Sequence, residues 1–273
     1  NISKMSKKYS VIEEITPNEW VNILDSQNLK LVDVLIAGCG TGQHTLIAAK
    51  MENTLNITSL DLSKKSLSYA IKKNQEYGFK NLEFYRADIL NLTELDKEFD
   101  LIECVGVLHH MRDPEKGLKS LLSKLRLKGL IKIGLYSKYA RRHVRELRQI
   151  IKEKGFKNSL TGIREFRSYL NQNCPPELSK IYESRDYYSS STARDLLFHV
   201  QEHQLTIPEI SSMLKKNNLK FLGYNLLQSV KEKYLKEFPD DKYCTNLVNW
   251  NLFEEKYSDT FRGMYQFWCQ RIS

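Results

Sequence analysis

Three glycines at alternate positions, Gly38, Gly40 and Gly42, end a mostly apolar run that starts at Leu31. With Cys39 and Thr41 between them they spell G-x-G-x-G, a loop that can turn through positive φ and let a ligand approach the main chain. A helix should follow, and its first N–H groups and positive dipole end favour a polar or anionic group. The spacing differs from the G-x-G-x-x-G of a dinucleotide site, and no Lys-Ser/Thr follows as in a phosphate loop. Downstream stand Asp61 and Asp88, each just past a strand-like run, and the pair His109-His110. A histidine beside a bound ligand can act as a general base near neutral pH, or simply anchor its loop. Of the two, His110 is the one expected to turn to the active site. His199 and His203, four apart in the helical stretch Thr192–Gln204, would share one face. That spacing suits a metal, a substrate contact or packing; a third ligand is not evident, though His109 or His110 could supply one, and Glu202 does not complete H-E-x-x-H. Asp186-Tyr187-Tyr188 offers ring hydroxyls for a pocket or bulk for a core, and Arg194 could hold an anion in a bidentate fork.

The elements that must carry these residues alternate strand and helix. Strands are expected at Leu31–Ala37, Asn56–Asp61, Leu82–Tyr85, Phe99–Cys104 and Leu130–Tyr136. Helices should fill Gln43–Met51, the segment capped by Ser63, and the segment opened by Asp113-Pro114. Such alternation gives an α/β, doubly wound, mostly parallel sheet, and such sheets bind ligands beyond the carboxyl ends of their strands. The glycine loop, Asp61, Asp88 and His109-His110 all fall there. The pattern then breaks over residues 138–205 and resumes with a helix at Ile207–Asn217 and strands at Leu219–Leu226 and Met264–Cys269. Four parts follow: 1–30 an amino-terminal helical lid, 31–137 the core, 138–205 an inserted cap, and 206–273 the completion of the sheet.

The 273 residues carry a formal charge of +9, with 41% hydrophobic side chains, too many for a disordered chain. Residues 138–170 hold ten basic side chains against three acidic, centred on Arg141, Arg142, Arg145, Arg148, Lys152 and Lys154. This is a solvated helix face or a patch for an anionic partner. Nucleic acid is possible but not favoured, for no RNP-like, zinc-finger or helix-turn-helix signal accompanies the patch. No apolar run is long enough to span a bilayer, and no signal peptide opens the sequence. The five cysteines are dispersed and lack CxxC, as in a reducing cytoplasm, and Cys104 reads as a buried strand residue. The first residue is not Met, so the chain reads as trimmed or as a piece of a longer one.

Val34–Gly42, Asp61, Asp88 and Phe99–His110, in that order, resemble a class I S-adenosylmethionine-dependent methyltransferase. Glu103–Met111 and Arg194–His203 further resemble bacterial methyltransferase domains often joined to tetratricopeptide arrays, although no such array is present here. The resemblance implies a Rossmann-like seven-stranded sheet whose final strand pair is a closing hairpin, and S-adenosylmethionine as cofactor. It implies that Gly38, Cys39, Gly40, Thr41 and Gly42 wrap the methionine part and that Asp61 accepts from the ribose hydroxyls. Leu62 would pack on the adenine, Asp88 and Ile89 would read its edge, and Val105 would lie near the methionine amino group. The acceptor is expected to be a small or medium polar molecule, with RNA or protein, or a non-catalytic binding module, as alternatives. The candidate catalytic residues are His109, His110, Tyr187, Tyr188, Arg194, His199 and His203. The Asn/Asp-Pro-Pro-Tyr/Phe sequence of amino-methyltransferases is absent after the fourth strand, where Glu103-Cys104-Val105-Gly106 stands.

Overall fold

A computed structural model of the chain describes residues 32–51, 55–199 and 201–273. The expected lid, residues 1–30, lies outside the described residues, as does Leu31.

The first strand, β1 (Val32–Ala37), is nearly all apolar because both its faces are covered. It leads through the glycine loop into α1 (Gln43–Met51). Then come β2 (Leu55–Asp61), α2 (Lys64–Tyr77), β3 (Leu82–Arg86) and β4 (Phe99–Val105). Ser63 caps α2 through the Ser66 amide, and Gly78 ends it in the left-handed region at φ 75°. A 3-10 turn, Leu108–His110, precedes α3 (Pro114–Leu122), which Asp113 caps through the Lys116 amide. The fifth strand, β5 (Leu125–Ser137), starts five residues earlier than its apolar run suggests, since the β4–β5 register shifts between Phe99 and Leu101.

Four further helices follow in the expected cap and beside it: α4 (Arg142–Lys154), α5 (Leu160–Asn173), α6 (Ser190–Phe198) and α7 (Ile207–Lys216). The two-residue strand β6 (Gln204–Leu205) separates the last two. The chain closes with β7 (Leu219–Tyr224), α8 (Gln228–Glu237), α9 (Leu247–Lys256) and β8 (Tyr265–Arg271).

The main path of the sheet is β3-β2-β1-β4-β5-β8-β7, with β6 added beside the end of β5. All described pairings are parallel except those of β8 with β5 and β7. The mostly parallel, doubly wound sheet is thus as expected. The closing pair is antiparallel but is no hairpin, because α8 and α9 intervene. There Tyr234 stacks on Trp250 at 3.9 Å and joins the larger apolar cluster. A second cluster, holding Ile36, Leu46, Ile57, Leu101 and Trp268, covers the other face. The cap helices have an apolar cluster of their own around Leu147, Phe166, Leu170 and Leu197. No helix among the described residues is long and apolar enough to cross a membrane.

Candidate active site

The glycine loop is built by necessity. Gly38 sits at φ 83°, and a Cβ there would lie 2.2 Å from Val107 Cγ2. At Gly40, φ 55°, no atom of the described residues other than its chain neighbours stands within 4 Å of that position. The Gly38 amide donates to the Leu60 carbonyl (2.8 Å), which ties the loop to the end of β2. Asp61 sits just past that carbonyl. Its Oδ2 accepts from the Gly40 amide (2.8 Å) and its Oδ1 from the Ser63 amide (2.8 Å). One carboxylate therefore fixes both the loop and the start of α2.

A cavity of about 330 Å³ opens here, lined by Gly38, Gly40, Asp61, Leu62, Asp88 and Ile89, with Val107 and Met111 on its far wall. Leu62 is 62% exposed beside it. Asp88 caps a 3-10 turn, its Oδ1 accepting from the Leu90 amide (2.9 Å). Ile89 lines the cavity with its side chain buried in the larger apolar cluster. A second cavity, also about 330 Å³, shares Gly38 with the first and is lined by Cys39, His44, Glu103, Val105, Lys132 and Gln266. The structure thus brings Gly38, Cys39, Gly40, Asp61, Leu62, Asp88, Ile89 and Val105 to two adjoining cavities. Burial and the nearby Asp61 push the Cys39 thiol up to about 12, so it is no nucleophile at neutral pH. Thr41 is exposed and lines neither cavity; Gly42, at φ 76°, packs against Ala70.

The candidate catalytic residues divide. The 3-10 turn after β4 presents Met111 to the cavity and both histidines to the cap. His109 is fully buried, with its ring 3.8 Å from Tyr136. Burial, with His110 beside it, lowers it to about 3, so it is neutral and too weak a base to work near neutral pH. The expectation of a neutral-pH base therefore fails for His109. His110 stands 4.2 Å from the His199 ring, and its Nδ1 meets the Gln201 carbonyl at 3.3 Å. That partner calls for a proton on Nδ1 and leaves Nε2 as the basic nitrogen. Burial holds His110 below its ordinary value too, with the His199 charge adding to the effect.

His199 and His203 do not share a helix face, because α6 stops at Phe198. His199 Nδ1 accepts the Gln201 amide (3.2 Å), and the His203 amide donates to the His109 carbonyl (2.7 Å). The helical pattern overran its end since Gln201 and the His203 amide bond to the His109–Met111 turn. Among the described residues no group of three or more His, Cys, Asp or Glu could hold a metal. Tyr187 is buried in the cap's own cluster, Tyr188 is exposed with its hydroxyl donating to the Tyr182 carbonyl (2.8 Å), and Arg194 is exposed on α6. None of the three lines either cavity.

Two functional features escaped the sequence reading. Glu202 is a buried hub: it receives Arg141 at 3.0 and 3.1 Å, Arg148 at 2.8 Å and Gln204 at 2.7 Å. Arg141 also lies 3.6 Å over the Tyr136 ring. Arg145, which is exposed, bonds the Lys138 carbonyl and Gln204, so Arg141, Arg145 and Arg148 are all engaged within the chain. The second feature is Glu103, buried on β4, whose Oε2 meets His44 Nε2 at 2.8 Å. An acid within an apolar strand was the available signal.

Comparison with known proteins places this geometry. A family model described as a methyltransferase domain matches residues 26–185. An uncharacterized protein of Synechococcus sp. is 30% identical over 202 residues, covering 70% of this chain and 48% of that one. A probable (S)-tetrahydroprotoberberine N-methyltransferase of Papaver bracteatum is 33% identical over 88 residues, covering 32% and 24%. The structure of PKMT2 from Rickettsia typhi in complex with AdoHcy superposes with TM-score 0.65 at 18% identity, over 90% of this chain and 49% of that one; at that identity it speaks for the fold. The chain spans about half the length of the Synechococcus and Rickettsia proteins. On the extent of the family match, the chain belongs to the methyltransferase-domain family, a class of S-adenosylmethionine-dependent enzymes.

Proposed function

We propose that the chain transfers a methyl group from S-adenosylmethionine to an O, N or S nucleophile of a small or medium polar molecule held under the cap. The observation that carries the cofactor part is the cavity that joins Gly40, Asp61, the exposed Leu62 and Asp88 at the strand ends. Asp61 takes the ribose hydroxyls, Leu62 covers the adenine, and Asp88 with the Ile89 amide reads its edge. Gly38, Cys39 and Gly40 follow the methionine part, with Val105 across from them, while Thr41 and Gly42 shape the loop that carries them. When bound, the cofactor supplies an electrophilic methyl on a sulfonium sulfur. The protein's part is to align the acceptor and to keep water away.

In this reading residues 31–137 hold the cofactor, 138–205 cover the acceptor and 206–273 complete the sheet. What supports a cap acting on the site is its tie to the turn after β4. Gln201 Nε2 donates to the Met111 carbonyl (3.1 Å), and the His199 ring lies tilted 35° against that of His110. His110 Nε2 takes a proton from acceptors that must lose one, and His109 with Tyr136 and Arg141 holds that turn in place. The acceptor is read as small because Arg141 and Arg148 are held by the Glu202 carboxylate rather than turned to an extended anionic partner. Glu103–Met111 and Arg194–His203 also support placing the chain with methyltransferase domains joined to tetratricopeptide arrays. All five cysteines are free thiols, which supports a reducing, cytoplasmic setting.

The test is transfer of labelled methyl from S-adenosylmethionine into a cell extract split into small molecules, RNA and protein. Label in the small-molecule fraction is expected. Label confined to RNA or protein would overturn the acceptor class.

A further inference from the structure

The cavity between Gly38 and Gln266 has a chemistry that the nucleoside end of a cofactor does not use. Glu103 and Lys132 are register partners on β4 and β5, and both are buried. Two opposite charges side by side in a sheet would ordinarily close on each other. Here they do not: Glu103 pairs with His44, and Lys132 acts on it only through space. Glu103 Oε1 is buried without a hydrogen-bond partner among the described residues. Burial pushes the Glu103 carboxyl up, but the His44 hydrogen bond and the charges of His44 and Lys132 outweigh it, so it stays ionised. The Lys132 ammonium lies 5.6 Å over the Trp268 ring, and both charged side chains line the same cavity. Asn225 and Gln266 line its far side.

Among the described residues the carboxylate oxygen has no donor and the ammonium no carboxylate, and two such buried charges are costly to hold apart. A ligand carrying one positive and one negative group on the same carbon would satisfy both. That is the form of an α-amino acid at neutral pH. Ile36 is the register partner of Glu103 on β1, and Gly38 follows two residues later. The acid therefore stands just below the point where the two cavities meet.

We propose that Glu103 and Lys132 form a receptor for the zwitterionic amino-acid end of the cofactor, Glu103 taking the ammonium and Lys132 the carboxylate. This rests on the cofactor reading above and moves the main recognition of the amino group from the Val105 backbone to a charged side chain. His44 holds Glu103 from the first turn of α1, so occupancy of the tail subsite is linked to the helix that starts at the glycine loop. Glu103 and Lys132 are binding residues here and take no part in moving the methyl group.

The experiment is calorimetric titration of the chain with S-adenosylhomocysteine and with 5′-methylthioadenosine, which keeps the nucleoside and lacks the amino-acid tail. The unaltered chain should bind the first about 30-fold or more tightly than the second. In Glu103→Gln, affinity for S-adenosylhomocysteine should fall about 10- to 100-fold while affinity for 5′-methylthioadenosine stays the same. Lys132→Met should show the same selective loss, and serves if Glu103→Gln fails to fold. Equal affinity of the unaltered chain for both ligands would overturn the tail receptor and spare the cofactor site. A loss in Glu103→Gln that is the same for both ligands, with the fold intact, would overturn it as well. Binding of neither ligand by the folded, unaltered chain would overturn the cofactor reading itself.

Discussion

Glu202→Gln should destabilise the fold more than any other single polar substitution in the cap. The Glu202 side chain is 1% exposed and faces two guanidiniums, Arg141 at 8% and Arg148 at 20% exposed. A glutamine keeps the shape but replaces one accepting oxygen by an N–H₂ group aimed at an arginine. Two buried positive charges then lack a counter-charge, a situation that costs about 3–5 kcal/mol. Arg148 keeps the Leu196 carbonyl at 3.1 and 2.7 Å and is partly wet, so the lower end, about 3 kcal/mol, is expected. For a chain of this size that is a fall in Tm of about 6–12 °C. The pH dependence has a definite sign. Burial pushes the Glu202 carboxyl up, but Arg141 and Arg148, with Gln204, outweigh it and bring the folded value below the ordinary 4.5. Its contribution is present above that ordinary value and is lost as the pH falls through the lower, folded one. The gap between the two proteins should thus stay level from about pH 7 to 5 and narrow only below the ordinary carboxyl range. Urea and thermal unfolding of both proteins across this range provide the assay. A gap under about 1 kcal/mol at pH 7, or one that widens in acid, would refute the reasoning.

Other substitutions probe the site directly. Asp61→Ala should weaken S-adenosylhomocysteine binding at least about 100-fold in calorimetry, since it removes a charged acceptor for two hydroxyls and frees the Gly40 and Ser63 amides. Gly38→Ala should lower stability by about 2 kcal/mol or more in urea unfolding, through its left-handed backbone and its clash with Val107. It should reduce ligand affinity as well, because Val107 lines the cavity. The His109 ring should stay neutral, its imidazole nitrogen shifts unchanged in NMR from about pH 7.5 to 5, where a free histidine would titrate. A midpoint near the usual histidine value would show that the ring is not buried as described.

Much of the core was legible because its signals are local. The apolar run before Gly38 is a strand buried on both faces, and Ser63 and Asp113 announce helices through their own side chains. That Gly38, Gly40, Asp61 and Asp88 line one cavity was legible from topology: in a parallel sheet, residues just past the strands fall together wherever the helices run. The cap was not. Its key residue, Glu202, is 61 positions from Arg141 and 54 from Arg148 along the chain, and no period links them. Reading the basic run as an outward patch overlooked how a single buried acid turns arginines inward. The helix drawn through His199 and His203 failed because tertiary bonds to the His109–Met111 turn outweigh local propensity. Tyr187 followed the commoner fate of a tyrosine, packing within the cap.

The central claim is that the cavity at the ends of β1, β2 and β4 holds S-adenosylmethionine. Calorimetric titration of the purified chain with S-adenosylhomocysteine, beside Asp61→Ala, tests it most directly. The account predicts saturable binding at one site per chain, abolished or strongly weakened in the variant with its fold retained. Absence of binding by the folded chain, or equal binding by the variant, would contradict it.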